Sequence, residues 1–166
     1  MARQARLDSP GTLHRVMIRG TEGQLLFQEK RDRLNFLSRI SKVSEGTGAR
    51  ILAWVLMSNH VHLLMFSGPP GISKFMRRLL TGYALWYNRK YHRRGHLFED
   101  RYKSIVCEEE AYLLELVRYI HLNPLRAGII KSMQGFRSLS LEWSWGIGRK
   151  KQERLAREGI YSQAVR

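Results

Sequence analysis

His60 and His62 are separated by a single residue. In an extended chain, where side chains alternate between faces, that spacing sends both imidazoles to the same side. Two imidazoles converging on one point can ligate one divalent ion. Val61 then faces the other way with Leu63 and Met65, into packing. The plainer alternative for a bare His-x-His is that one histidine caps the turn after Asn59 and the other is a satisfied core group. A second pair is Tyr119 and Asn123, whose four-residue spacing places a phenol and a carboxamide one turn apart on the same helix face. The alternative here makes Tyr119 a rim aromatic of the core and Asn123 a C-terminal cap before Pro124. Neither spacing decides between its two readings.

The surroundings of these pairs are strongly basic. Between Lys74 and Lys103 there are nine Lys or Arg residues and only two acids, Glu99 and Asp100, interleaved with Trp86, Tyr87, Tyr91, Phe98 and Tyr102. Arg77, Arg78, Arg89, Arg93, Arg94, Arg101 and Lys103 are the candidate phosphate contacts, and the aromatics could stack on unpaired bases. Taken alone, such a run also fits a solvated helix face followed by a loop. The whole chain carries 29 Lys and Arg against 14 Asp and Glu, a net charge of +15 and a pI near 10.6. That excess favours a polyanionic partner, bound by displacing condensed counterions.

Together these features supply the roles needed for phosphodiester transfer to a protein side chain. Tyr119 would attack, the metal would polarise a phosphate oxygen, and Arg or Lys side chains would neutralise the pentavalent intermediate. A phenol with a pKa of about 10 is a poor nucleophile near neutrality, so it needs that help. A phosphotyrosine link keeps the energy of the broken bond, so a free 3′-hydroxyl can reseal DNA without ATP.

The elements that must position these groups are readable from hydrophobic periodicity. Leu13 to Ile18 alternates as a strand, Gly20 to Gly23 supplies a turn, and Leu25-Leu26-Phe27 reads as a short hairpin partner. From Glu29 to about Glu45, Leu34, Leu37, Ile40 and Val43 recur at intervals of three as the apolar face of a helix ended by Gly46 and Gly48. Ile51 to Met57 is continuously apolar, as in a strand buried on both faces, and Val61 to Phe66 follows a tight Ser58-Asn59 link as its antiparallel neighbour. After Gly68-Pro69-Pro70-Gly71, Ile72, Phe75, Met76, Leu79, Leu80, Tyr83 and Tyr87 mark one face of a further helix. Tyr102 to Cys107 reads as a strand, and Glu108 to Glu110 opens a helix that ends before Pro124. This order predicts an α+β fold, an antiparallel sheet covered by helices, with ferredoxin-like topology as the first choice.

A length of 166 residues, 43% of them hydrophobic, suits one globular domain. A single cysteine, Cys107, permits neither an internal disulfide nor a cysteine zinc site. The longest apolar run, Ile51 to Met57, is far short of the roughly 20 residues a membrane helix needs, so a cytoplasmic location is expected. The expected organisation is a basic arm over 1–12, a catalytic domain over 13–131, and a C-terminal extension over 132–166 that either binds DNA or is flexible.

Several stretches resemble one family. Trp54-Val55-Leu56-Met57-Ser58-Asn59-His60-Val61-His62-Leu63-Leu64 resembles the His-hydrophobic-His signature of single-tyrosine (HUH) transposases, especially the REP-associated tyrosine transposases. Tyr119 to Gly128 looks like their catalytic helix and its end. Phe75 to Leu79, Gly95 to Lys103 and Leu13 to Gly20 are also similar to family segments, so that the resemblance covers roughly residues 10 to 131. It implies a ferredoxin-like fold, His60 and His62 as metal ligands, Tyr119 as nucleophile, and single-stranded DNA folded into a hairpin (a palindromic repeat) as substrate, handled by a monomer or a homodimer. Asn123 stands where many relatives place a glutamine ligand to the same ion. Family members use magnesium or manganese, and of Mn2+ and Mg2+ the former better suits two imidazoles.

Two other functions compete. One keeps the fold and hairpin binding but drops catalysis, as in a domesticated transposase acting as a regulator. The other is an RNA-binding module stacking bases on its sheet. That second reading gives no role to the histidine pair or to Tyr119, and it requires aromatics on the central strands.

Overall fold

The computed structural model describes residues 9–107 together with the backbone of 145–147. Its elements are β1 (Leu13–Arg19), α1 (Lys30–Thr47), β2 (Arg50–Leu56), β3 (His60–Phe66), α2 (Gly71–Lys90), β4 (Lys103–Val106) and β5 (Trp145–Ile147). They build one sheet in the order β4-β1-β3-β2-β5 with every neighbouring pair antiparallel. The first four strands with the two helices have the β-α-β-β-α-β order and 4-1-3-2 arrangement of the ferredoxin-like fold expected from the sequence. β5 lies within the segment read as a C-terminal extension and adds to the free edge of β2, with Val55 opposite Trp145 and Ala53 opposite Ile147.

Both helices pack on one face of the sheet. Val16 and Ile18 of β1 and Val61, Leu63 and Met65 of β3 meet Phe36 and Ile40 of α1 and Phe75, Met76, Leu79, Tyr83 and Tyr87 of α2 in one buried cluster. Phe27, Phe36 and Tyr83 form its aromatic centre, with ring centroids 4.9–5.8 Å apart. The alternation of β1 and β3 sends Leu13, Arg15, Met17 and Arg19, and His60, His62, Leu64 and Phe66, to the opposite face. Ala53, Val55 and Leu64 are buried on that second face, so the continuous apolar run of β2 is explained as anticipated.

Three expectations change. Leu25-Leu26-Phe27 is not a strand. Its backbone groups are satisfied without a ladder: the Leu26 and Phe27 amides donate to the Ser58 carbonyl at 2.7 and 3.2 Å, while Tyr87 and Tyr83 donate their hydroxyls to the Leu25 and Leu26 carbonyls at 2.7 and 2.6 Å. The buried face of α1 is rotated from the expected one. Phe36 and Ile40 are in the core while Leu34 is 54% exposed, and Asp32 and Arg33 are buried instead.

The cause of that rotation is polar. Asp32 closes a capping box with Glu29. Its carboxylate accepts from the Gln28 and Glu29 amides at 2.7 and 3.0 Å, from the Tyr91 hydroxyl at 2.7 Å and from Lys90 Nζ at 2.5 Å. Burial opposes its ionisation, but the donors from Lys90, Tyr91, Glu29 and Gln28 outweigh that and hold its carboxyl below the usual range. This group ties the start of α1 to the end of α2. At the other end of α1, Gly48 ends the helix with φ +68°, and a Cβ there would come 3.1 Å from the Pro69 ring.

The third change concerns the aromatics of the basic segment. Tyr87 and Tyr102 are buried and Tyr91 is bonded to Asp32. Tyr87 is part of the helix layer, as its helical spacing with Phe75 and Leu79 allowed, while Tyr91 belongs to the Asp32 group and Tyr102 joins the same buried cluster.

Candidate functional site

The turn joining β2 to β3 fixes the histidines. The Met57 amide donates to the His60 carbonyl at 2.9 Å, leaving Ser58 and Asn59 as the two connecting residues. From outside, the Gly20 amide donates to the Asn59 carbonyl at 2.9 Å. Gly20 has no room for a side chain, because a Cβ would lie 2.3 Å from the Gln24 carbonyl oxygen. The turn is therefore clamped between β1 and the loop that follows it.

From this anchored turn β3 runs through the middle of the sheet and carries both imidazoles on the face away from the helices. Their ring centroids are 5.1 Å apart and nearly perpendicular, with an interplanar angle of 86°. Nδ1 of His60 donates to Oδ1 of Asn59 at 2.8 Å, which leaves the Nε2 lone pair of His60 for a ligand. His60 is half-buried and His62 buried. Burial, then the neighbouring His60, Arg15 and Arg19, push the His62 pKa down to about 4, while burial and Arg19 lower that of His60. Both rings are thus neutral at pH 7, the state in which imidazole binds a metal. The donor set fits a borderline divalent ion. Among the described residues there is no group of three or more His, Cys, Asp or Glu that could hold a metal ion, so an ion at this pair would need further donors.

Cations flank the pair. Arg19 lies opposite His60 in the β1–β3 register, and Met17 lies opposite both His62 and Lys103, so Lys103, Met17 and His62 form one row across three strands. Arg15 sits two residues from Met17 on the same face. Neutral ligands ringed by fixed positive charge suit a metal-bound phosphate. Arg15 and Arg19 were missed in the sequence reading. Their signal was the alternation of β1, but only the register shows which cations face the histidines.

Two of the other expected phosphate contacts lie elsewhere. Arg77 and Arg78 are exposed on α2, in the helix layer that covers the sheet face opposite the histidines. Arg89, Arg94 and Arg101 are exposed as well. Arg93 is engaged within the protein, donating to Gln24 at 2.6 Å and Asn88 at 3.2 Å. Arg77 and Arg78 therefore do not share a surface with the histidine pair, whereas Lys103 lies on the histidine face. Tyr119 and Asn123 lie outside the described residues.

The sequence model of the family described as "Transposase IS200 like" matches residues 10–123. The chain belongs to the IS200-like transposase family. That span includes β1 to β4, the histidine pair and Tyr119. Among solved structures, a REP-associated tyrosine transposase bound to a REP hairpin is similar to this chain with a TM-score of 0.67 and 18% identity, over 80% of this chain and 78% of the other. At that identity the likeness shows a shared fold. A candidate transposase from Deinococcus radiodurans R1 is 17% identical with a TM-score of 0.48, over 72% of this chain and 95% of that one. No curated protein matches the chain. No helix among the described residues is long and apolar enough to cross a membrane.

Proposed function

We propose that this member of the family is a metal-dependent single-stranded DNA endonuclease and transposase that cleaves and rejoins DNA near hairpins through a 5′-phosphotyrosine link to Tyr119. The observation that carries the reading is the pair of neutral imidazoles on β3, with His60 held by Asn59 and both flanked by Arg15, Arg19 and Lys103. A bound Mn2+ or Mg2+ would supply polarisation of a phosphate oxygen. His60 and His62 would hold it, with Asn123 as a further ligand, and manganese suits the imidazoles better. The hairpin as substrate is proposed from the similar transposase solved with a REP hairpin and from the net charge of +15. Arg77, Arg78, Arg89, Arg94, Arg101 and Lys103 are the proposed phosphate contacts. Arg93 joins them with whatever donor capacity Gln24 and Asn88 leave.

The RNA-stacking reading finds little support in the side chains of the histidine face. Its central strands present Arg15, Met17, Arg19, His60, His62 and Leu64, with Phe66 at the far end under the Arg50 guanidinium.

The test is incubation of the protein with a labelled single-stranded hairpin and manganese, followed by denaturing separation. A denaturant-resistant protein–DNA adduct is expected from the wild type and none from Tyr119→Phe, which keeps the ring but lacks the attacking oxygen. An adduct at wild-type level from that variant would overturn the assignment of the nucleophile.

A further inference from the structure

We infer that Arg19 is a catalytic residue of the DNA-cleaving site proposed above, contacting a non-bridging oxygen of the scissile phosphodiester beside the metal held by His60 and His62. The inference rests on that proposal for its chemistry and on three observations for its residue.

The first is register. Arg19 is the cross-strand partner of His60, so the two side chains leave the same face of adjacent strands, about 5 Å apart at their origins. Arg15 pairs with Leu64, further along, and Lys103 is two strands from His62. No other described cation is aligned with a histidine in this way.

The second is availability. Arg19 is exposed, and no carboxylate among the described residues forms an ion pair with it. Lys90 and Arg93, by contrast, are held by Glu29 and Asp32, and by Gln24 and Asn88.

The third is rigidity shared with the metal ligands. The Arg19 carbonyl accepts from the Glu99 amide at 3.0 Å, and the next residue donates to the Asn59 carbonyl. Asn59 in turn holds the His60 ring. The same few hydrogen bonds thus fix the main chain of Arg19 and the first metal ligand relative to each other, so that the guanidinium extends from an anchored strand end beside the ligand.

A guanidinium suits the task because it stays charged and its planar fork matches two phosphate oxygens. In the cleavage step the Tyr119 oxygen forms a bond to phosphorus and the bond from phosphorus to the 3′-oxygen breaks. The phenol releases its proton to solvent and the departing 3′-oxygen takes one up, so no co-reactant is consumed. Negative charge grows on the non-bridging oxygens as the fifth bond forms, and Arg19 would meet it there.

The test pairs Arg19→Gln and Arg19→Lys with DNA carrying a single methylphosphonate, which removes the charge of one phosphate. On native DNA, Arg19→Gln should cleave about 10²–10³-fold more slowly in single turnover, with Mn2+ affinity unchanged and Arg19→Lys in between. With the methylphosphonate at the scissile position, wild type and Arg19→Gln should differ by much less. An equal loss on both substrates, or no loss, would overturn the inference, since a merely structural role is blind to that one charge. Binding gives a readout independent of cleavage. In a Tyr119→Phe background, scanning the methylphosphonate along the strand should reveal one position where native phosphate binds roughly tenfold better, a preference that Arg19→Gln abolishes. Absence of any Arg19-dependent position would sink the inference. If that position exists but the wild type forms no adduct, the covalent mechanism fails and the phosphate contact stands.

Discussion

Oδ1 of Asn59 lies 2.8 Å from Nδ1 of His60 and fixes which nitrogen of that ring faces outward. The contact joins neighbours in the chain, yet it depends on the turn being clamped through Gly20. Asn59→Ala should weaken Mn2+ binding about 10–100-fold, the usual cost of losing the group that orients a metal-bound histidine. Isothermal calorimetry measures this directly. Asn59→Asp keeps an acceptor and should retain most of the affinity, whereas equal losses in the two variants would assign the effect to the turn and not to the hydrogen bond.

The depressed pKa of His62 makes an acid-side stability prediction. With a folded value of about 4 against 6.5 for the free side chain, the unfolded chain binds the extra proton between those pH values. Stability from this group is therefore complete above pH 6.5 and lost as pH falls towards 4, by up to about 3 kcal/mol. His60 is shifted the same way and adds to the slope. Urea unfolding in the presence of a chelator, repeated from pH 7 to pH 4, should show the decline, and His62→Asn should remove most of it. A flat profile in the wild type would mean that the fold leaves the His62 pKa at its ordinary value, and a rise in stability towards pH 4 would mean that the ring is protonated and partnered.

How far all this was legible in the sequence depends on the range of the interaction. The strands with both histidines, and the buried face of α2, follow from local alternation and helical spacing, because Val61, Leu63 and Met65 or Phe75, Leu79 and Tyr83 repeat within a few residues. The buried Asp32 does not. A charged residue in the first turn of a helix normally faces water, and the partners that keep it inside, Lys90 and Tyr91, are 58 and 59 residues away. Leu34 looked like core for the converse reason, since nothing local says that α1 turns its Asp32 side inward. Arg19 was hidden because a strand-end arginine acquires meaning only from the residue opposite it, and the register of β1 on β3 is a long-range fact. The separation of Arg77 and Arg78 from the histidines is another, as it depends on both helices covering the same sheet face.

The Asp32 group should be the most sensitive polar point in the helix layer. Asp32→Ala strips the Gln28 and Glu29 amides and the Tyr91 hydroxyl of their acceptor and takes one of two carboxylates from Lys90, which keeps Glu29, at a cost of about 1–3 kcal/mol for the donors left without a partner. Asp32→Asn keeps the shape and one acceptor oxygen and should lose less. Because the folded carboxyl lies below its ordinary range, its contribution is present above the unfolded pKa and disappears as pH falls through the lower folded value. That window lies below the one set by His62, so the two are separable in an acid titration. Chemical denaturation of both variants at pH 7 checks the order, and an Asp32→Ala protein as stable as the wild type would refute the role of this staple.

Arg77 and Arg78 provide the corresponding prediction for the helix side. They are exposed on α2, across the sheet from His60 and His62, so their loss should change DNA binding without touching the metal. If about six phosphates are neutralised in the complex, affinity should fall with salt at a logarithmic slope of roughly −4 on single strands and nearer −5 on a duplex stem. Replacing both arginines with alanine should flatten that slope by about one to two units. Mn2+ affinity should stay as in the wild type, the reverse of what Asn59→Ala does. Filter-binding or anisotropy titrations at several salt concentrations give the slope, and calorimetry gives the metal term. A slope indifferent to both arginines would move the DNA off the helix layer and leave Arg15, Arg19 and Lys103 on the histidine face as its principal cationic contacts among the described residues.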